Sequence, residues 1–150
     1  MLYDKDKEQV KLQQEIDFMV SYKKMQQSIV PGFVDIIFTN NLSDLFMQEK
    51  GIAPLLTVAF LENAFKHADT DSRNCAITIS LNNTDADTLV YTIENTFRKT
   101  NTPKTASGIG FKNLRRRLDL IYVNDYEIIS ERKDDRFLAK LTIKLQKHED

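Results

Sequence analysis

"TASGIGFKNLRRRL", residues 105–118, sets two of the chain's four glycines one residue apart, just ahead of an apolar-periodic stretch with three consecutive arginines. Glycine reaches backbone conformations closed to other residues. The pair therefore reads either as a plain turn or as a loop that brings backbone N–H groups close to a phosphate at a helix N-terminus. Beyond it, Phe111, Leu114, Leu118 and Ile121 fall on one stripe, which predicts a helix from about Gly110 to Val123. Ahead of it, "TFRKTNTPKTAS", residues 96–107, is polar and without period; a loop of that length in a compact domain reads as a lid over a site.

Further out, two pairs of alternating runs predict hairpins. Cys75, Ile77, Ile79 and Leu81 alternate, then Leu89, Tyr91 and Ile93, across the polar "NNTDAD". "YEIIS" and "RFLAKLTIKL" do the same across "KDD". Residues 5–28 read as an amphipathic helix through Leu12, Ile16, Met19, Tyr22 and Met25, ended by "VPG" at 30–32; "FVDIIFTN", 33–40, reads as a strand, and "NNLSDLFMQEKG" as a loop or short helix. A further helix is expected from Gly51 to about Ala68, with Pro54 in its first turn. This order predicts an α/β domain with helices packed on one face of a mostly antiparallel sheet.

Composition narrows the class. A chain of 150 residues, 41% hydrophobic and 29% charged, closes one core and stays in solution. Its formal charge of -1 supplies no general attraction for nucleic acid, so no direct nucleic-acid partner is expected. Cys75 is the only cysteine, which fits a reducing, cytoplasmic compartment. "IAPLLTVAFL", 52–61, is too short to cross a bilayer, and the N-terminus lacks the apolar core of a signal peptide.

"LENAFKHA", residues 61–68, carries candidate chemistry. On a helical wheel Val58, Leu61, Phe65 and Ala68 make one stripe, the face expected toward the sheet, while Asn63, Lys66 and His67 share the other side with Leu56, Ala59 and Phe60. The polar trio reads as a solvated face or as a Mg-nucleotide site, with an amide oxygen for the metal and cationic donors for phosphate. Gly108 and Gly110 offer backbone donors at a helix start, and Asn113, Arg115 and Arg117 extend a polar surface beside them. Asn95, closing a strand before the lid, reads as a turn residue or as an amide that pairs with adenine.

Together, "ENAFKH", "IEN", a polar lid and "GIGFKNLRRRL" closely resemble the ATP-binding domain of sensor histidine kinases. The likeness is to the LytS-type branch in particular, with its E-N-A-x-K-H and G-I-G-L-x-N-x-R-x-R-L boxes. It covers about residues 8–146. The resemblance implies the Bergerat (GHKL ATPase) fold, a two-layer α/β sandwich with a mixed, mostly antiparallel sheet. It implies a helical segment at 1–30 that leads from a phosphoacceptor region, and an ATP-binding catalytic domain at 31–150. ATP and Mg²⁺ are the expected cofactors. Asn63 would serve the metal and phosphates, with Lys66 and His67 on phosphates and Glu62 in the same box. Asn95 would read adenine, and Gly108, Ile109, Gly110, Asn113 and Arg115 would border the triphosphate.

The sequence departs from the family pattern at several places. Thr96 and Phe97 replace the glycine that usually follows the adenine-box residue, Val58 stands where LytS-like proteins often have Gln, and Phe111 replaces Leu. Ala59 occupies the position of the water-activating glutamate of gyrase-type ATPases, which argues against free ATP hydrolysis. The only histidines are His67 and His148, neither in an acceptor-type helix, so the acceptor is expected on another segment. The implied activity is transfer of the γ-phosphoryl group of ATP to that histidine. Implied partners are the acceptor helix, a homodimer in the full-length kinase, and a response regulator of LytTR type; the implied setting is the cytoplasmic side of an inner-membrane protein. A degenerate GHKL module that binds nucleotide without transferring phosphate is the alternative.

Overall fold

The computed structural model of the chain describes residues 9–71, 73–96 and 106–149, with the backbone alone over 106–110. In chain order the elements are β1 (Val10–Lys11), α1 (Leu12–Ile29), β2 (Asp35–Asn40), α2 (Asp44–Glu49), β3 (Lys50–Ile52), α3 (Leu56–His67), β4 (Ala76–Asn83), β5 (Thr88–Thr96), α4 (Ala106–Ile121), β6 (Tyr126–Lys133), β7 (Arg136–Lys144) and β8 (Gln146–Lys147).

Local chemistry sets most of these bounds. α1 stops at Val30 because the following Pro31 disfavours helical geometry in the residue before it, and Val30 is extended at ψ 157. Ser43 caps α2 by accepting a hydrogen bond from the Phe46 N–H at 3.1 Å. The turn from β4 to β5 is organised by Asp85, whose Oδ1 accepts from the N–H groups of Asp87 and Thr88, both at 2.8 Å. These bonds favour the ionised form and hold its carboxyl below the usual aspartate value.

Five strands form a mixed sheet in the order β2-β4-β5-β7-β6, with β2 parallel to β4 and the other pairs antiparallel. Burial alternates along β4, β5 and β7 as a strand with one covered face requires. Ile77, Ile79, Leu81, Tyr91, Ile93, Leu141 and Ile143 point into the core, where α1 supplies Leu12, Ile16 and Met19, α3 supplies Phe60 and Leu61, and α4 supplies Leu114 and Leu118. Each fully buried side chain of this kind contributes about 1.5–3 kcal/mol by leaving water. The opposite face carries Thr78, Ser80, Thr92, Lys140 and Thr142 and remains partly open. This is the two-layer sandwich expected, with helices on one face of a mostly antiparallel mixed sheet.

Two expectations are corrected. Gly51 and Ile52 do not begin a helix: they lie in β3, the central strand of a small antiparallel sheet ordered β1-β3-β8. The reason is close packing. A Cβ at Gly51 would lie 2.9 Å from Gln9 Oε1 and 3.2 Å from His148 Cδ2, so the side chains of the flanking segments close over this position and would have to give way to a larger residue. His148, expected in a charged tail, is docked, its backbone N–H donating to the Glu49 carbonyl at 2.7 Å. The second correction concerns α4, which starts at Ala106 rather than near Gly110, so both glycines lie in its first turns. The lid expected over 96–107 lies, for residues 97–105, outside the described residues.

Candidate functional site

α3 is gripped on both flanks. The Tyr22 ring of α1 meets Phe65 edge-on with centroids 6.4 Å apart, and Phe111 of α4 lies 5.3 Å from Phe60. Leu56 and Phe60, expected on a polar side, are therefore buried, because α4 covers that flank. The open surface of α3 is a narrow strip of Ala59, Glu62 and Lys66, with half-buried Asn63 and His67 along its edge. At about 100° per residue, Asn63 and His67 lean toward α4 and Glu62 toward α1. Tyr22 records the second lean: burial and the Glu62 charge both push its phenol pKa up.

Contacts along the two helices fix their direction. Arg117 Nη2 donates to the Pro54 carbonyl at 2.5 Å, before the start of α3, while Phe111 meets Phe60 further along it. The helices thus run antiparallel, which brings the first turn of α4, where Gly108 lies, to about the level of Asn63. Amides in a first helical turn have no carbonyl one turn behind them within the helix. They and the positive end of the helix dipole favour an anion there.

The far end of α3 is tied to the sheet. Just beyond it the Asp69 N–H donates to the Thr96 carbonyl at 3.2 Å, which seats the end of α3 beside the end of β5. Asn95 precedes Thr96 on the inner face, between Ile77 and Phe137 in register, and is 2% exposed. Its Nδ2 donates to the Thr96 carbonyl at 3.2 Å. Its strand neighbour Phe137 stacks on Phe111 of α4 with centroids 6.2 Å apart, so the amide is enclosed among apolar groups.

α4 divides the remaining candidates. Exposed Asn113 lies on its flank toward α3, the flank that also holds Arg117. Arg115 lies on the other flank, where Nη2 approaches the Ile128 carbonyl of β6 at 3.4 Å. Asn63, Lys66 and His67 thus share the second half of α3, Asn113 lies on α4 at the level of the first half of α3, Asn95 is buried on the sheet, and Arg115 is set apart toward β6.

Solved structures resemble the chain over most of its length. The ThkA histidine kinase catalytic domain superposes with a TM-score of 0.61 at 14% identity, over 91% of this chain and 94% of that one. The histidine kinase domain of the Erythrobacter litoralis EL346 blue-light activated kinase gives 0.62 at 14% identity, over 97% and 66%. The mycobacterial sensor kinase MprB gives 0.60 at 10% identity, over 93% and 98%. The chain has the fold of a histidine kinase catalytic domain. No protein-family model and no curated protein matches at the level of sequence. In a further match, ThkA in complex with the response regulator TrrA, the chain corresponds to 41% of the longer kinase chain.

Among the described residues no group of three or more His, Cys, Asp or Glu side chains gathers to cage a metal. A Mg²⁺ ion suits the α3–α4 junction only through an amide oxygen such as that of Asn63, completed by waters and phosphate oxygens, which is how Mg²⁺ binds with nucleotides. Sequence reasoning missed Glu15, Thr57, Tyr91 and Tyr122, which fix the start of α3. The available signal was Glu15 itself, a carboxylate set among Leu12, Ile16 and Met19 on the apolar stripe of α1.

Proposed function

We propose that the chain is the ATP-binding catalytic domain of a LytS-type sensor histidine kinase. It holds Mg-ATP at the α3–α4 junction and delivers the γ-phosphoryl group to a histidine on another segment. The observation that supports this reading is the antiparallel setting of the two helices, which brings the first turn of α4 to about the level of Asn63.

In this reading Asn95 pairs with the adenine edge, donating to a ring nitrogen and accepting from the exocyclic amine. Asn63 holds the metal, which when bound neutralises charge on the phosphates. Lys66 and His67 donate to phosphate oxygens, and Glu62 stands beside them where the acceptor imidazole enters. Gly108, Ile109 and Gly110 border the triphosphate, with the free N–H groups of the first turn of α4 toward it and Gly110 leaving room for its approach, and Asn113 extends that surface. Arg115 joins only by leaving the Ile128 carbonyl. The bond from the γ-phosphorus to the β,γ-bridging oxygen breaks, the imidazole nitrogen takes the phosphoryl group and loses its proton, and ADP leaves. The chain contributes positioning and charge stabilisation. An exposed Ala59 provides no base for water, which favours transfer over hydrolysis. The phosphoryl group passes on to an aspartate of a response regulator, of LytTR type in this branch, from a homodimeric kinase at the inner membrane.

The test is calorimetric titration of Mg-ATP, with Asn63→Ala and Gly110→Val compared with the parent, followed by transfer to a supplied acceptor-helix segment. Expected are binding that both substitutions abolish and an acid-labile phosphohistidine on the acceptor. Binding without transfer to any matched acceptor sinks the kinase reading.

A further inference from the structure

α3 begins without a cap of its own. Its N-cap residue, Leu55, sits at φ 68 and ψ 12 with no side-chain hydrogen bond to the helix. That left-handed conformation costs a bulky residue on the order of 1–3 kcal/mol unless its surroundings hold it. The holding group comes from 40 residues upstream: Glu15 Oε1 accepts the Leu55 N–H at 2.8 Å. The second oxygen, Oε2, accepts the Thr57 N–H at 2.9 Å and the Thr57 hydroxyl at 2.5 Å. Glu15 is 2% exposed, so its carboxylate has exchanged water for these three donors and for the positive end of the α3 dipole.

The same turn is tied from two further elements. Tyr91 of β5 donates its hydroxyl to the Thr57 carbonyl at 3.0 Å, and Tyr122, just past α4, accepts the Ala53 N–H at 2.9 Å. Of these contacts, only the Glu15 bonds take up the donors at the start of α3 itself. A rigid 12-residue helix carries any shift or rotation of its first turn to its last, where Asn63, Lys66 and His67 stand.

We propose that Glu15 is a positioning residue for the nucleotide site: by capping α3 from α1 it sets the depth and rotation of the helix that presents Asn63. The inference rests on the nucleotide reading of that site for its affinity readout only. Glu15→Gln keeps size and packing but turns one acceptor into a donor, which then faces an N–H. Thr57→Val removes a single bond and serves as a second, milder variant.

Two measurements on the folded chain decide it, both made well below the melting temperature. The first follows the backbone amide resonances of ¹⁵N-labelled protein without nucleotide; the second is the Kd for Mg-ATP. Expected for Glu15→Gln are shifts at Asn63, Lys66 and His67 as well as at Leu55 and Thr57, and a Kd weakened roughly 10-fold, the size usual for loss of a group that orients a ligating residue. Thr57→Val moves the same resonances in the same direction by less. Shifts confined to residues near 55–59 with an unchanged Kd overturn the proposal and leave Glu15 a purely structural cap. If the parent binds no Mg-ATP, the nucleotide reading fails, and the resonances of residues 63–67 alone decide the role of Glu15.

Discussion

Tyr91 shows how much a single side chain is asked to do beneath the site. It is fully buried, packs its ring 5.4 Å from Phe60, and donates its hydroxyl to the Thr57 carbonyl. Burial first, and the Glu15 carboxylate second, push its pKa well above the ordinary tyrosine value. In the unfolded chain that value is about 10. Because the folded value is higher, the folded state keeps the proton longer, so the stabilisation is whole below pH 10 and is lost as the pH rises past it. We expect denaturation midpoints to fall on the alkaline side of pH 10, and Tyr91→Phe to flatten that fall. The same substitution lowers stability near neutrality by about 1–3 kcal/mol, because a buried carbonyl loses its donor. The sequence showed Tyr91 as one apolar position in an alternating run. Its hydrogen bond depends on where residue 57 lies in space, and periodicity carries no such information.

At the scale of elements, what could be read depended on whether the determining contact was local. The hairpins were legible because alternation fixes which face is buried, and the register pairs Ile79 with Ile93 and Tyr91 with Leu141 as that alternation demands. The strand at Gly51 was not, because a residue followed by "IAP" has weak local preference and is made a strand by partners from both ends of the chain. α3 was legible as a helix, while its cap was hidden by the distance from Glu15. The end of α4 offers a test of local strain. Val123 sits at φ 52, with its N–H donating to the Leu118 carbonyl at 3.2 Å, and its side chain is 54% exposed. This is the left-handed position after a helix where glycine is favoured and a β-branched residue is strained. Val123→Gly is expected to raise stability by about 1 kcal/mol, read as a higher midpoint in urea at unchanged slope.

For the whole molecule, the open question is how far α1 belongs to the catalytic body. Residues 1–30 read in sequence as a connecting segment, and we retain that role as part of the proposal. In the fold, Leu12, Ile16 and Met19 are each no more than 3% exposed and join the same apolar cluster as α3 and the sheet. Truncating any one such side chain costs about 2–5 kcal/mol, against a total stability of about 5–15 kcal/mol for a domain of this kind. A fragment of residues 31–150 loses all three and the Glu15 cap. We expect it to show no cooperative thermal transition by circular dichroism, whereas the full chain melts in one step.

The small sheet has a consequence for how the chain is ordered in space. Lys11 and Gln146 both pair with Gly51, one on each side of it. Two strand spacings of about 4.8 Å therefore separate them. β1 and β8, both antiparallel to β3, run parallel to each other, so a linker from Lys147 back to Val10 has to cross β3 and needs about a dozen residues, and the chain could be reopened at the Asp134–Asp135 turn. Such a circular permutant would keep every ladder of both sheets while moving its free ends to the opposite end of β7.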